Sequence, residues 1–114
     1  MAVAMFMRWP GITPGEYDAI MARLELDLSP AAGGVLHVAT FNDEGLEICD
    51  VWQTEQAFYG FLEQRLMPVA RELDLAGEPE IRLMPLHNLY AADPDMIDRI
   101  GAISMPAAVA AWAI

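Results

Sequence analysis

Val35 to Trp52, VLHVATFNDEGLEICDVW, limits the possible folds more than any other stretch of this chain. Two runs rich in β-forming residues flank Asn42-Asp43-Glu44-Gly45, the pattern of a β-hairpin closed by a polar turn. With the loop centred on Asp43-Glu44, Phe41 lies opposite Leu46, Ala39 opposite Ile48, His37 opposite Asp50 and Val35 opposite Trp52. Alternation puts those side chains on one face, and Leu36, Val38, Thr40, Glu47, Cys49 and Val51 on the other. Both faces are largely apolar, so both need a cover. One of them also carries a His–Asp pair.

The flanking segments supply the remaining elements. Val3 to Trp9 is a short apolar run stopped by Pro10-Gly11, and is expected to be a strand. Thr13-Pro14-Gly15-Glu16 combines a capping threonine, a proline at the first helical position and a capping-box glutamate. Tyr17, Ile20, Met21, Leu24 and Leu28 follow at helical spacing and predict one buried stripe. Thr54 caps a second helix lined by Phe58, Phe61, Leu62, Leu66, Val69 and Leu73, which Pro68 should kink or split near Met67. Glu80 to Leu86 completes the set as a fourth strand. The order β-α-β-β-α-β is that of a ferredoxin-like α+β domain. Right-handed crossovers put both helices on one face of its sheet. The face expected to be left bare is the one bearing Val35, Phe41, Leu46, Ile48 and Trp52, a larger apolar patch than monomers usually tolerate. A second copy packing sheet to sheet, or the chain's own tail, would cover it.

At 114 residues, residues 1–92 make one domain and 93–114 an apolar extension. Asp93-Pro94-Asp95 begins a helical arm, and Met105-Pro106 restarts it toward Trp112 and Ile114. Ile100 to Ile114 carries no charged side chain, yet is short of the roughly 20 apolar residues of a bilayer span, so a docked helix pair or a dimer-clasping arm is expected. A net charge of -11 with six Lys+Arg argues against nucleic acid and anionic membrane surfaces. One cysteine, Cys49, excludes an internal disulfide and suits the reducing cytoplasm. No basic n-region precedes the first strand, so no signal peptide is expected.

Tyr17-Asp18-Ala19-Ile20, Gly34-Val35-Leu36-His37-Val38-Ala39, Asp50-Val51-Trp52 with Glu55 and Phe58, and Pro85-Leu86-His87-Asn88 together carry a resemblance. Over residues 2 to about 90 the chain resembles the dimeric α/β-barrel superfamily, in particular small stand-alone proteins akin to antibiotic-biosynthesis monooxygenase domains. The resemblance implies a homodimer whose two sheets close a barrel, with a ligand pocket between sheet and helices in each subunit. Its activities are diverse, so fold alone does not transfer one.

His37 and Asp50 head the residues suited to chemistry. A carboxylate beside an imidazole fixes its tautomer and raises its basicity, and such a dyad can take a proton from a phenolic or enolic substrate. The same two residues would equally serve as a satisfied polar pair between two sheets. His87 and Asn88, with Tyr90 close behind, follow the last strand. There they rim a pocket mouth as acid/base and amide donor, or simply form a strand-ending turn. Trp52 and Trp9 are stacking surfaces for an aromatic ligand or core residues. Tyr17 sits on a buried stripe, where packing is its default role. Arg82 is placed to hold a ligand carboxylate, to pair with Asp50 or to face solvent. Two histidines without Cys/His spacing make a structural zinc site unexpected, and no Gly-rich phosphate loop, nucleophile elbow or other self-sufficient catalytic signature is present. The expectation is a small cytosolic, monooxygenase-like homodimeric enzyme needing no cofactor and acting on a hydrophobic aromatic or polyketide-like molecule. The alternative is a non-catalytic ligand-binding or dimerisation protein.

Overall fold

The computed structural model describes residues 1–104. Four strands form one antiparallel sheet in the order β2-β3-β1-β4, with β1 at Val3–Pro10, β2 at Gly34–Asn42, β3 at Gly45–Trp52 and β4 at Glu80–Pro85. Helix α1 (Pro14–Leu24) links β1 to β2; α2 (Glu55–Phe61), a π-turn (Leu62–Leu66) and α3 (Met67–Glu72) link β3 to β4. The β-α-β-β-α-β order and the ferredoxin-like strand arrangement agree with the sequence.

The hairpin closes as its turn chemistry dictates. Asn42 Oδ1 accepts from the backbone N–H groups of Glu44 (2.8 Å) and Gly45 (3.2 Å), fixing a two-residue loop. Gly45 has φ 142°, and a Cβ there would lie 2.6 Å from the Trp9 carbonyl oxygen, so only glycine fits where β1 approaches the turn. Phe41 faces Leu46, Ala39 faces Ile48 and His37 faces Asp50. The expected Val35–Trp52 pairing does not occur. Gly34 opposes Trp52, Leu36 opposes Val51, and Val35 is the extra residue of a bulge.

The covered face is the reverse of the one expected. Tyr17 of α1 reaches His37, and Phe58 and Phe61 of α2 pack on Trp52 with ring centroids 5.8 and 5.3 Å apart. The helices therefore sit on the His37 face. The reason lies in β1, whose register aligns Val3 with Trp52, Met5 with Asp50, Met7 with Ile48 and Trp9 with Leu46. All four of these β1 residues are buried, whereas Arg8 projects from the other face and is exposed. Trp9, Phe58, Met5, Met7 and Leu46 are the largest fully enclosed side chains. Each contributes about 1.5–3 kcal/mol by leaving water. The bare face instead carries Phe6, Arg8, Val38, Thr40, Glu47, Cys49, Glu80 and Arg82 around an open concavity.

Helix α1 starts with the expected capping box: Thr13 Oγ1 accepts from Glu16 N–H at 3.2 Å, and Glu16 Oε1 from Thr13 N–H at 3.0 Å. It ends earlier than its apolar spacing suggests. Glu25 turns left-handed (φ 50°), and Leu28 lies beyond the helix, exposed. Arg65 donates to the carbonyls of Leu24 (2.9 Å) and Pro30 (3.2 Å); the first is an acceptor that a helix running on to Leu28 would have used itself. Pro68 divides the second helix as expected. It has no N–H for Gln64, and the chain widens into the π-turn, with Met67 N–H bonding Leu62 O, just ahead of it.

After β4, Leu86 N–H bonds Ala2 O at 2.9 Å, and His87 to Asp93 runs exposed. Asp93 Oδ1 caps α4 (Pro94–Ser104) through Met96 N–H at 3.1 Å, and Pro94 to Ile100 are exposed. The part of the arm expected after Met105 lies outside the described residues. Among the described residues no helix is long and apolar enough to cross a membrane.

Candidate functional site

A chain of four side chains from three elements crosses the covered face. It begins on β3, where residues two apart share a side, so Asp50 and Trp52 both point toward the helices. Asp50 is buried, 7% exposed, and one of its oxygens, Oδ2, accepts from the indole Nε1–H of Trp52 at 3.1 Å. Its other oxygen, Oδ1, lies 2.7 Å from Nδ1 of His37 on the neighbouring strand. The imidazole's second nitrogen, Nε2, lies 2.7 Å from the hydroxyl of Tyr17 on α1. The Tyr17 and His37 rings are nearly parallel, 3° apart, and the edge of Phe41 meets Tyr17 at 84° and 5.9 Å.

Donor arithmetic sets the direction of these bonds. Indole only donates, and an ionised carboxylate only accepts. His37 Nδ1 must therefore carry a proton and donate it to Asp50. In the neutral imidazole this leaves the Nε2 lone pair as acceptor for the Tyr17 hydroxyl. Burial, then the charge of Asp50, then that of Asp18 push the Tyr17 hydroxyl up to about 12, so it stays a phenol and a donor. The same ingredients, burial first and Asp50 second, raise the Cys49 thiol on the opposite face. The arrangement can serve as a base: a carboxylate anchored by an indole, an imidazole held in one tautomer, and a second ring nitrogen that meets the Tyr17 hydroxyl. The His37 side chain is 37% exposed, so it opens toward solvent rather than into a closed cavity.

The remaining expected residues do not join this chain. His87, Asn88 and Tyr90 lie on the exposed segment after β4, the opposite edge of the sheet from β2. Three strand spacings, roughly 14 Å, separate the two edges. Arg82 projects from the bare face and packs over the Phe6 ring at 5.6 Å, so it does not pair with Asp50. Trp52 and Trp9 are 4% and 1% exposed, which makes both core residues rather than stacking surfaces. The hydrogen bond from Trp52 to Asp50 escaped the sequence reading, although the i, i+2 spacing that permits it was visible. Trp9 Nε1 is buried without a hydrogen-bond partner among the described residues. A second concavity, between α2 and β4, is lined by Thr54, Gln56, Tyr59 and Leu83; neither it nor the bare-face one borders His37. Among the described residues no group of three or more His, Cys, Asp or Glu is placed to hold a metal ion.

No protein-family model matches this chain, and no curated protein matches it. Solved structures do. SnoaB, a cofactor-independent oxygenase from Streptomyces nogalater, superposes with a TM-score of 0.59 at 22% identity, over 77% of this chain and 95% of that one. A protein of unknown function from Nitrosomonas europaea gives 0.61 at 18% identity, over 81% and 95%. A candidate antibiotic biosynthesis monooxygenase from Chloroflexus aurantiacus gives 0.53 at 18% identity, over 79% and 98%. The structural neighbours thus include antibiotic-biosynthesis-monooxygenase-like proteins, and the chain has their ferredoxin-like fold.

Proposed function

We propose that this chain is a small cytosolic monooxygenase-like enzyme without a bound cofactor, acting on a hydrophobic phenolic or enolic molecule of aromatic or polyketide-like type. The observation that carries the reading is the Trp52–Asp50–His37–Tyr17 chain, which presents a polarised base on a fold shared with a cofactor-independent oxygenase. His37 is the base, and Asp50 holds the imidazolium that forms. The enolate carbon bonds to dioxygen, the proton returns to the peroxide, and loss of water leaves a carbonyl. One dioxygen is consumed for each CH₂ converted to C=O and each water released.

Two copies join through the bare face. Its apolar centre, Phe6 and Val38 with Cys49, is bordered by both signs of charge, Arg8 and Arg82 beside Glu47 and Glu80. Such a mixture suits a self-complementary contact. Residues 1–92 form this catalytic unit and 93–114 an appended arm.

Anthrone, an apolar aromatic ketone with a phenolic enol, is the test substrate. Wild-type protein is expected to speed its dioxygen uptake to the quinone, and His37→Ala to abolish the gain. Equal rates with and without protein refute the reading. A second reading, a non-catalytic ligand-binding protein, is favoured by the Tyr17 hydroxyl already sitting on Nε2. Saturable anthrone binding without turnover would establish it. Sedimentation at micromolar concentration tests the pairing, with a 12.6 kDa particle counting against it.

A further inference from the structure

We propose that Tyr17, rather than His37, is the group the ligand's acidic hydroxyl meets, its phenol relaying one proton from ligand to imidazole; this rests on the function proposed above. The neutral imidazole has one lone pair, and the Tyr17 hydroxyl already occupies it at 2.7 Å. A ligand approaching Nε2 must displace Tyr17 or act through it. Acting through it needs no rearrangement. A tyrosine hydroxyl donates once and accepts on its remaining lone pairs. Donation to Nε2 leaves those pairs open, and among the described residues no other hydrogen bond reaches this oxygen.

The transfer balances without any change in oxidation state. The ligand's O–H bond breaks as an O–H bond to Tyr17 forms. Tyr17's original O–H bond breaks as an N–H bond to His37 Nε2 forms. The products are a ligand oxyanion accepting from Tyr17 and an imidazolium donating to Asp50. The hydroxyl, raised to about 12, is a poor place to leave a negative charge, so the two protons move together and no tyrosinate accumulates.

The surroundings also select the ligand. The carboxylate of Asp50 and the neighbouring Asp18 both act on Tyr17, so an anion is repelled and a neutral acid is accepted. Phe41, 38% exposed and edge-on to Tyr17, offers an apolar wall for an aromatic ring. The ligand class is therefore a neutral hydroxyarene or enol, not a carboxylate.

The test uses the full chain and para-nitrophenol, whose phenolate is yellow and whose acidity lies near neutrality. Wild type, Tyr17→Phe and His37→Gln are compared for binding by calorimetry and for the ionised fraction of bound probe by absorbance. Imidazole nitrogen NMR follows the His37 Nδ1–H signal in Tyr17→Phe, confirming that the His37–Asp50 bond survives. The expected result is an ionised probe in wild type. In Tyr17→Phe, with Nδ1–H intact, the ionised-to-neutral ratio falls roughly ten- to a hundredfold, the equivalent of one charge-assisted hydrogen bond. Undiminished ionisation in Tyr17→Phe together with its loss in His37→Gln overturns the relay and leaves His37 as a base that ligands reach directly. Absence of ionisation in wild type overturns both the relay and the proposed base. Benzoate binding as tightly as para-nitrophenol refutes the preference for a neutral acid.

Discussion

Replacing Asp50 by asparagine should reverse the two hydrogen bonds of His37 while changing hardly any volume. The amide oxygen takes the place of Oδ2 and accepts from Trp52 Nε1–H, the partner that cannot adapt because indole only donates. The amide NH₂ then faces His37 Nδ1, where the carboxylate had accepted at 2.7 Å. Two donors cannot share that bond, so the neutral imidazole moves its proton to Nε2. Nε2 then donates to the Tyr17 oxygen, and the basic lone pair is gone. Hydrogen bonds to a charged partner are worth about 1.5–3 kcal/mol each, and two are weakened to neutral ones. Removing a buried charge returns part of that loss. The net cost is about 1–2 kcal/mol, or roughly 5–10 °C in the melting temperature of a chain this size. Nitrogen NMR of the imidazole and thermal denaturation read the two effects separately. An Nδ1–H tautomer persisting in Asp50→Asn would show the directions assigned to these bonds to be wrong, and an unchanged melting temperature would show that the Asp50 charge adds no net stability.

Trp52→Phe keeps an aromatic ring against Phe58 and Phe61 but deletes the donor to Asp50 Oδ2. It should cost about 1–3 kcal/mol in urea unfolding and broaden the His37 Nδ1–H resonance. Tyr17 should ionise near pH 12 rather than at its ordinary 10.0, visible as the tyrosinate step missing when Tyr17→Phe is titrated against wild type; a missing step near 10 refutes the burial argument. Because the folded value is the higher one, the stability it contributes is complete below pH 10 and is lost as pH rises through 12. With Tyr17 only partly buried, that contribution is on the order of 1 kcal/mol after solvent screening. Gly45→Ala would place a Cβ 2.6 Å from Trp9 O at φ 142°, so unfolding measurements should show a loss of more than about 2 kcal/mol. A loss below half that would mean β1 and the turn part easily.

What the sequence disclosed was whatever local chemistry decides. Asn42 and Gly45 announced the turn, and the turn fixed the register that joins His37 to Asp50. Thr13 with Glu16, Thr54 and Asp93 announced helix starts, and Pro68 announced a break. The sidedness of the sheet was not local. Both faces of the hairpin are apolar, so the choice fell to β1, where Trp9 and Arg8 point opposite ways and whose register on β3 is set by contacts distant in sequence. The Leu24 carbonyl left open at the end of α1 is met by Arg65, 41 positions away, which no helical spacing reports. His87 stood beside His37 as a candidate because residue type carries no distance. Only the strand order sends them to opposite edges.

The extra residue at Val35 separates two alignments within β2. Downstream of it, His37 is aligned on Asp50 from the loop at Asp43-Glu44; upstream, Gly34 meets Trp52 in a frame displaced by one position. The linker from Glu25 to Gly33 therefore enters the sheet through a slip joint. Insertions or deletions there can be absorbed before the histidine, so the His37–Asp50 pairing tolerates drift on its N-terminal side. Between Leu36 and Asn42 the pairing carries no such shift, so a residue gained or lost within those paired segments would turn the imidazole to the other side of the sheet unless a second bulge formed.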